Sequence, residues 1–273
     1  MAKVKLHKLE VPPNKGIDKH KLMRGISSDK PYYFSSFITH YLSCPKKYKL
    51  SLEYPIEQSK AMREGLLFEG YVYGFENAET QKKLEGRMHT ETLDKLKAKA
   101  VHVQKFFKLE TSKSFQNVSY ENSLFGIGGQ KDYEGEVLYN GFWVQCNADL
   151  KFTSDIEKYW NYRQNKLDYL QSLIYTYIDF KTGKGIVPFI YFIVENNDFV
   201  NPLVKMVKLN FKQSDFDILE EVLNNIHADC FYTANPQDYT CRANYGRCDF
   251  MEYCNEGRNY IATNTEIEFS VLH

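Results

Sequence analysis

Ala148-Asp149-Leu150-Lys151-Phe152-Thr153 is the stretch on which the fold turns. It reads as a strand, and side chains along a strand alternate between faces. Residues two apart therefore point the same way, about 6–7 Å from each other. Asp149 and Lys151 are placed to project from one side into one pocket. Phosphodiester hydrolysis uses such an arrangement, with a carboxylate to hold a divalent metal and an amine near the scissile phosphate or the attacking water. Many surface strands contain an acid-x-Lys triplet, so its weight depends on its surroundings.

Upstream, Asn117 to Phe152 alternate in character and carry Gly-marked turns. Tyr139-Asn140-Gly141-Phe142 puts Asn-Gly between apolar flanks, a strong hairpin signal. Three antiparallel strands are expected, ending in the Asp149 strand. Earlier still, Ser35 and Ser36 are N-cap candidates for a short helix, Phe37 to Leu42, that stops near Pro45. Residues 59–77 read as a helix, with Leu66, Leu67, Phe68 and Tyr71 as apolar positions. Residues 81–110 show the i, i+3, i+4 pattern of an amphipathic surface helix or helix pair. Downstream, residues 156–180 read as a helix, 188–195 as a buried strand, 203–210 as a further strand and 213–228 as a helix. The tail from 230 is irregular and carries cysteines. This order predicts an α/β sandwich whose active edge lies at one end of the sheet.

The chain has 273 residues, enough to bury a sizeable core and better suited to one elaborated domain than two. Residues 1–30 are polar and basic, with Pro12, Pro13 and Gly16, and form a flexible lead-in to a domain over 31–273. The formal net charge is zero, which leaves a local basic groove open, since nucleic-acid footprints are patches rather than totals. No run of 18 apolar residues exists, so no membrane span is expected. The N-terminus lacks the apolar segment of a signal peptide, and a cytoplasmic protein is expected. There, six cysteines are better read as thiols or metal ligands than as disulfides.

Together these segments resemble the PD-(D/E)xK nuclease superfamily, most closely RecB-like phage exonucleases and CRISPR-associated nucleases with an iron–sulfur cluster. The resemblance runs from about Tyr33 to Cys254. Ser36-Phe37 through Leu42-Ser43-Cys44-Pro45-Lys46-Lys47-Tyr48 is similar to that family's first helix, and Glu64-Gly65-Leu66-Leu67-Phe68-Glu69-Gly70 to its Gly-x-x-x-(His/Glu) helix. A His stands in many relatives where this chain has Glu69, which would instead add an oxygen ligand. Gly129-Gln130-Lys131-Asp132-Tyr133 resembles the motif supplying the first metal carboxylate, with Glu134 and Glu136 as nearby competitors. Asp149-Leu150-Lys151 then supplies the second carboxylate and the catalytic amine. Tyr169-Leu170-Gln171-Ser172-Leu173-Ile174-Tyr175 resembles the family's Gln-x-x-x-Tyr helix, and Gln171 and Tyr175 share one helical face. A second acid-x-Lys, Asp179-Phe180-Lys181, ranks lower, because in that register the Gln motif comes too early.

The resemblance implies a restriction-endonuclease-like core, a mixed central sheet flanked by helices, with a helical N-terminal and a cysteine-bearing C-terminal elaboration. It implies Mg2+ or Mn2+ held by Asp132, Asp149, the Leu150 carbonyl and Glu69, with Lys151 stabilising charge and Gln171 assisting. Lys46, Lys47 and Tyr175 would contact DNA, and the basic stretch near 96–108 would add phosphate contacts or simply face solvent. Cys44, Cys241, Cys248 and Cys254 would ligate a [4Fe–4S] cluster in a subdomain of Cys44 and residues 230–258, with zinc or free thiols as alternatives. Cys146 and Cys230 would be buried small apolar residues. The expected activity is a DNA exonuclease on ends or single strands in phage or mobile-element recombination, replication or repair, as a homo-oligomer or with a recombination partner. Two alternatives stand beside it: a non-catalytic DNA-binding or scaffold protein of the same fold, and a zinc-tailed interaction protein.

Overall fold

The computed structural model describes residues 26–54, 59–160, 170–197 and 201–228, together with Cys248 and Cys254 as single positions. The chain divides into two compact units. One comprises Met1–Glu57, Asn122–Gly126 and Glu221–His273, and the other Gln58–Glu121 and Ile127–Glu220. The fold is α/β, with a mixed sheet of six strands flanked by helices.

In the smaller unit, strand β1 (Tyr32–Phe34) leads into helix α1 (Ser35–Ser43) and helix α2 (Pro45–Glu53). Ser35 is not an N-cap, as the sequence suggested, but the first helical residue. Phe34 holds the cap position with no side-chain hydrogen bond, and the Ser35 carbonyl accepts from Thr39 Oγ1. Pro45 opens α2 at its first turn, where a missing N–H costs nothing. Phe37 packs edge-on against Phe34 and Tyr48, making a small aromatic core.

In the larger unit, α3 (Lys60–Tyr73) is capped by Ser59, whose side chain accepts from the Met62 N–H. It ends before Gly74, which takes a φ of 91° that side chains rarely adopt, so the helix stops short of residue 77. Leu67 and Phe68 are buried on α3, whereas Leu66 is exposed. The predicted helix pair appears as α4 (Ala78–Glu85), capped by Asn77, and α5 (Thr90–Gln104). Lys99 on α5 does not face solvent. It is buried and donates to Asn196 Oδ1 and the Asn197 carbonyl.

Strand β2 (Lys113–Glu121) pairs with β3 (Gly126–Tyr139), which returns through the Asn140-Gly141 turn as β4 (Phe142–Thr153). Both turn residues have positive φ, 50° and 84°, which the Asn-Gly pair tolerates. The short helix α6 (Ile156–Trp160) follows, and then α7 (Leu170–Lys181), β5 (Phe189–Glu195), β6 (Val204–Leu209) and α8 (Gln213–Ala228). Residues 161–169 of the helix expected at 156–180 lie outside the described residues. Strand β5 runs parallel to β4 and antiparallel to β6, which makes the sheet mixed. Its buried run Phe189–Val194 reads as the apolar strand the sequence indicated.

The two faces of β4 do different things. Cys146, Ala148 and Leu150 join Leu67, Phe68, Val103 and Phe192 in the main core, and Phe68 stacks on Phe152 at 4.4 Å. Asn147 and Lys151, on the alternate face, hydrogen-bond to residues of α7. Helix α7 is buried from Ser172 to Asp179, the pattern of a helix covered all round. No helix among the described residues is long and apolar enough to cross a membrane.

Candidate active site

The ladder between β3 and β4 runs from Tyr139↔Phe142 at the turn to Tyr133↔Ala148. Beyond Ala148, β4 continues on β5, with Asp149 opposite Tyr191 and Lys151 opposite Ile193. Asp132, one residue before the last β3–β4 pair, and Asp149, one residue after it, therefore flank the place where the ladder ends. Residues 17 apart in sequence meet because one hairpin brings them back to the same level of the sheet.

Asp149 is fully buried, while Glu69, Asp132 and Lys151 are half-buried. Lys151 Nζ lies 2.6 Å from Asp149 Oδ1 and donates to Oδ2 at 2.8 Å. The contact to Oδ1 is ionic, without a directed hydrogen bond. The same ammonium donates to Gln171 Oε1 at 3.3 Å and lies 5.8 Å from the Tyr191 ring centre. Gln171 Nε2 in turn donates to Tyr175 Oη at 3.4 Å, so the i, i+4 pair read on α7 forms a relay to Lys151. Gly129 makes room for that relay. A Cβ there would stand 2.3 Å from Tyr175 Cε1.

Three acids meet at this point. Burial, then the negative charge of Asp149, pushes the Glu69 carboxyl up from 4.5 to about 7, against the pull of Lys151 and a hydrogen bond from Asp132. Burial, then the charges of Asp149 and Glu69, holds the Asp132 carboxyl well above the usual range. Three carboxyls this close do not all ionise against one ammonium. Burial works against the charged form of Lys151, but Asp149 and Asp132 outweigh it, and its pKa rises above the ordinary lysine value. Tyr175 is pushed up to about 12, by burial first and then Asp132, so its hydroxyl keeps its proton.

An all-oxygen donor set with surplus negative charge suits a hard divalent cation in its chemistry. Its spacing is not that of a finished cage, since no group of three His, Cys, Asp or Glu side chains among the described residues is gathered to hold a metal. The Lys151 ammonium presently supplies the positive charge against Asp149. The Leu150 side chain faces the main core, as alternation requires.

The competing acids are engaged elsewhere. Glu134 accepts from Lys131 and Lys184, and Glu136 from Lys108 at 2.6 Å. The second acid-x-Lys is helical: Asp179 accepts from Lys131 at 2.6 Å through both oxygens, and Lys181 reaches Glu220 at 2.7 Å. Lys46 and Lys47 occupy the first turn of α2, half-buried in the smaller unit. Cys44, Cys248 and Cys254 belong to that unit and form no disulfide among the described residues, and the latter two pack against Leu50 and Tyr54 of α2. Cys241 and Cys230 lie outside the described residues, whereas Cys146 is buried, as expected. Tyr73 and Tyr191 beside the acids went unread in the sequence. The i+4 spacing of Tyr73 from Glu69 was the available signal for the first, and strand pairing alone reveals the second.

An α/β fold with acids beside the end of a β3–β4 ladder defines the class. Among solved structures the fold is shared with a presumed exonuclease from Eubacterium rectale, at a TM-score of 0.55 and 12% identity over 91% of this chain and 99% of that one. The protein SSO0001 aligns at a TM-score of 0.39 and 11% identity over 89% of this chain and 93% of that one, too distant to carry an argument. No family model matches the chain. No curated protein matches it either.

Proposed function

We propose that this chain is a Mg2+- or Mn2+-dependent DNA exonuclease of the PD-(D/E)xK type. The observation that carries this reading is the meeting of Asp132, Asp149, Glu69 and Lys151 beside the end of the β3–β4 ladder. The shared fold with a presumed exonuclease is consistent with it.

Asp132, Asp149 and Glu69, with the Leu150 carbonyl, would hold the cation, which would lower the pKa of a bound water and neutralise phosphate charge. In hydrolysis a water oxygen bonds to phosphorus, one bridging P–O bond breaks, and the departing oxygen takes a proton. Lys151 stays an ammonium and offsets negative charge building on the phosphate oxygens, so it acts as an electrostatic stabiliser rather than a base. Gln171 aims that ammonium, and Tyr175 aims Gln171. Lys46 and Lys47 would contact the DNA backbone.

The test uses end-labelled single- and double-stranded DNA with Mg2+ or Mn2+. We expect stepwise release from an end, none in chelator, and a drop of about 10²–10³-fold in Lys151→Ala. Equal activity in parent and variant rejects the site. One observation favours a second reading, a non-catalytic DNA-binding protein of this fold: the acids are not gathered into a metal group among the described residues. Binding of DNA without cleavage in either cation would establish it.

The cysteines carry a separate proposal, a [4Fe–4S] cluster on Cys44, Cys241, Cys248 and Cys254. It is supported by the shared packing of Cys248 and Cys254 on α2, the helix that Cys44 directly precedes. About four irons and four sulfides per chain after anaerobic purification is the expected result. A single zinc would support the zinc-tailed alternative. A cytoplasmic setting, in a phage or mobile element and with a recombination partner or a second copy, fits this reading.

A further inference from the structure

A file of aromatic rings leads up to the Lys151 ammonium. Tyr175 of α7 lies 6.4 Å from Phe189 of β5, Phe189 lies 4.9 Å from Tyr191, and Tyr191 lies 5.7 Å from Trp160, ring centre to ring centre. Phe189 and Tyr191 are two apart on one strand and so share a face. Three members of the file are core residues, with Tyr175 at 4%, Phe189 at 1% and Tyr191 at 2% exposure. Trp160 differs. It ends α6 half-buried, with part of its indole at the surface. Tyr191 is held in place, paired with Asp149 across the ladder and hydrogen-bonded to Ser172 of α7.

Two groups therefore rest on Tyr191 and reach solvent. One is the Lys151 ammonium, 5.8 Å from the ring centre with its side chain 34% exposed, and the other is the Trp160 indole. The first suits a phosphate and the second a flat apolar ring. A nucleotide carries one of each, so the pair matches a single repeat of a nucleic-acid strand. Bases of every identity stack on aromatic side chains, because each has a π-face. That face is open only on a base that has left its duplex stack.

We propose that Trp160 is a substrate-binding residue that stacks on the unpaired base beside the phosphate held at Lys151, so that the site takes DNA as a single strand. This rests on the nuclease reading above and deepens it by naming the form of the substrate. The indole touches no reacting atom, so it acts on binding rather than on the bond-breaking step.

The chain has two tryptophans, and Trp143→Phe leaves Trp160 as the sole indole. Titrated with an oligothymidylate in Ca2+, this variant should lose much of its emission. A strand of equal length without bases should leave the emission unchanged, although its phosphates are the same. In Mg2+, Trp160→Ala should raise KM for a single strand about tenfold with kcat little changed, and Trp160→Tyr should recover most of that loss. Emission that stays constant while a labelled strand binds overturns the proposal, and so does an unchanged KM in Trp160→Ala. Equal quenching by the baseless strand, or by a blunt duplex, overturns it as well. Base-dependent quenching with no cleavage in Mg2+ or Mn2+ upholds the stacking and removes the nuclease reading, so the two fail separately. A parent protein that binds no single strand overturns both.

Discussion

Two Lys–Asp pairs of the larger unit, one within β4 and one joining β3 to α7, differ in balance. Lys151 and Asp149 touch at 2.6 Å with the lysine side chain 34% exposed. Lys131 and Asp179 touch at the same distance with 1% and 2% exposed. Around the second pair, Lys184 and Glu134 complete the set, so two ammoniums face two carboxylates, and Asn147 Nδ2 adds a bond to Asp179 at 2.7 Å. Around the first, Glu69 and Asp132 add two more acids against one ammonium. The balanced pair is closed, and it ties β3 and β4 to α7. The unbalanced one reaches solvent, and its single ammonium is outnumbered by acids. Equal contact distances thus conceal opposite roles, and the difference lies in the neighbours.

The comparison breaks most visibly at Lys131. Lys131→Ala leaves Asp179 buried without its ammonium and should cost about 3–5 kcal/mol in urea unfolding. The double change Lys131→Met with Asp179→Leu should recover most of that loss, or exceed the parent, since a matched apolar pair carries no desolvation penalty. A loss as large in the double variant would mean that the network specifies more than charge balance.

A smaller effect is expected at Glu69. Its folded pKa lies above its ordinary value, so its protonated form stabilises the metal-free protein below about pH 4.5, and that stability is lost as pH rises through about 7. In chelator at pH 8, Glu69→Gln should therefore gain stability on the order of 2 kcal/mol after allowance for partial exposure, with no gain near pH 4.5. A variant whose stability follows the parent at every pH would show that the acids are not crowded. Smallest of all, Lys184→Ala should cost under about 1 kcal/mol, because that lysine is 44% exposed and water screens its pairing with Glu134. A cost like that of Lys131→Ala would erase the distinction between the buried and the exposed cation.

The order of elements from residue 117 onward was readable because each signal is local. Asn140-Gly141 specifies its own turn, Phe189–Val194 its own burial, and Gln171 and Tyr175 their shared helical face. The helix starts were less readable. Ser35 looks like a cap in one dimension, yet the chain enters α1 straight from β1, and Phe34 takes that place. Asp179-Phe180-Lys181 matched the nuclease triplet in letters. Its position at the end of a buried helix turned the aspartate toward Lys131 instead.

The sequence by itself determined that Asp149 and Lys151 share a face, since alternation along a strand is a property of the backbone. Only the tertiary structure decided which distant acids join them and that the neighbour Lys131 is neutralised by Asp179. Those outcomes depend on burial and on charges brought together from separate elements, and the energy of such an encounter is set by distance in space rather than by position along the chain.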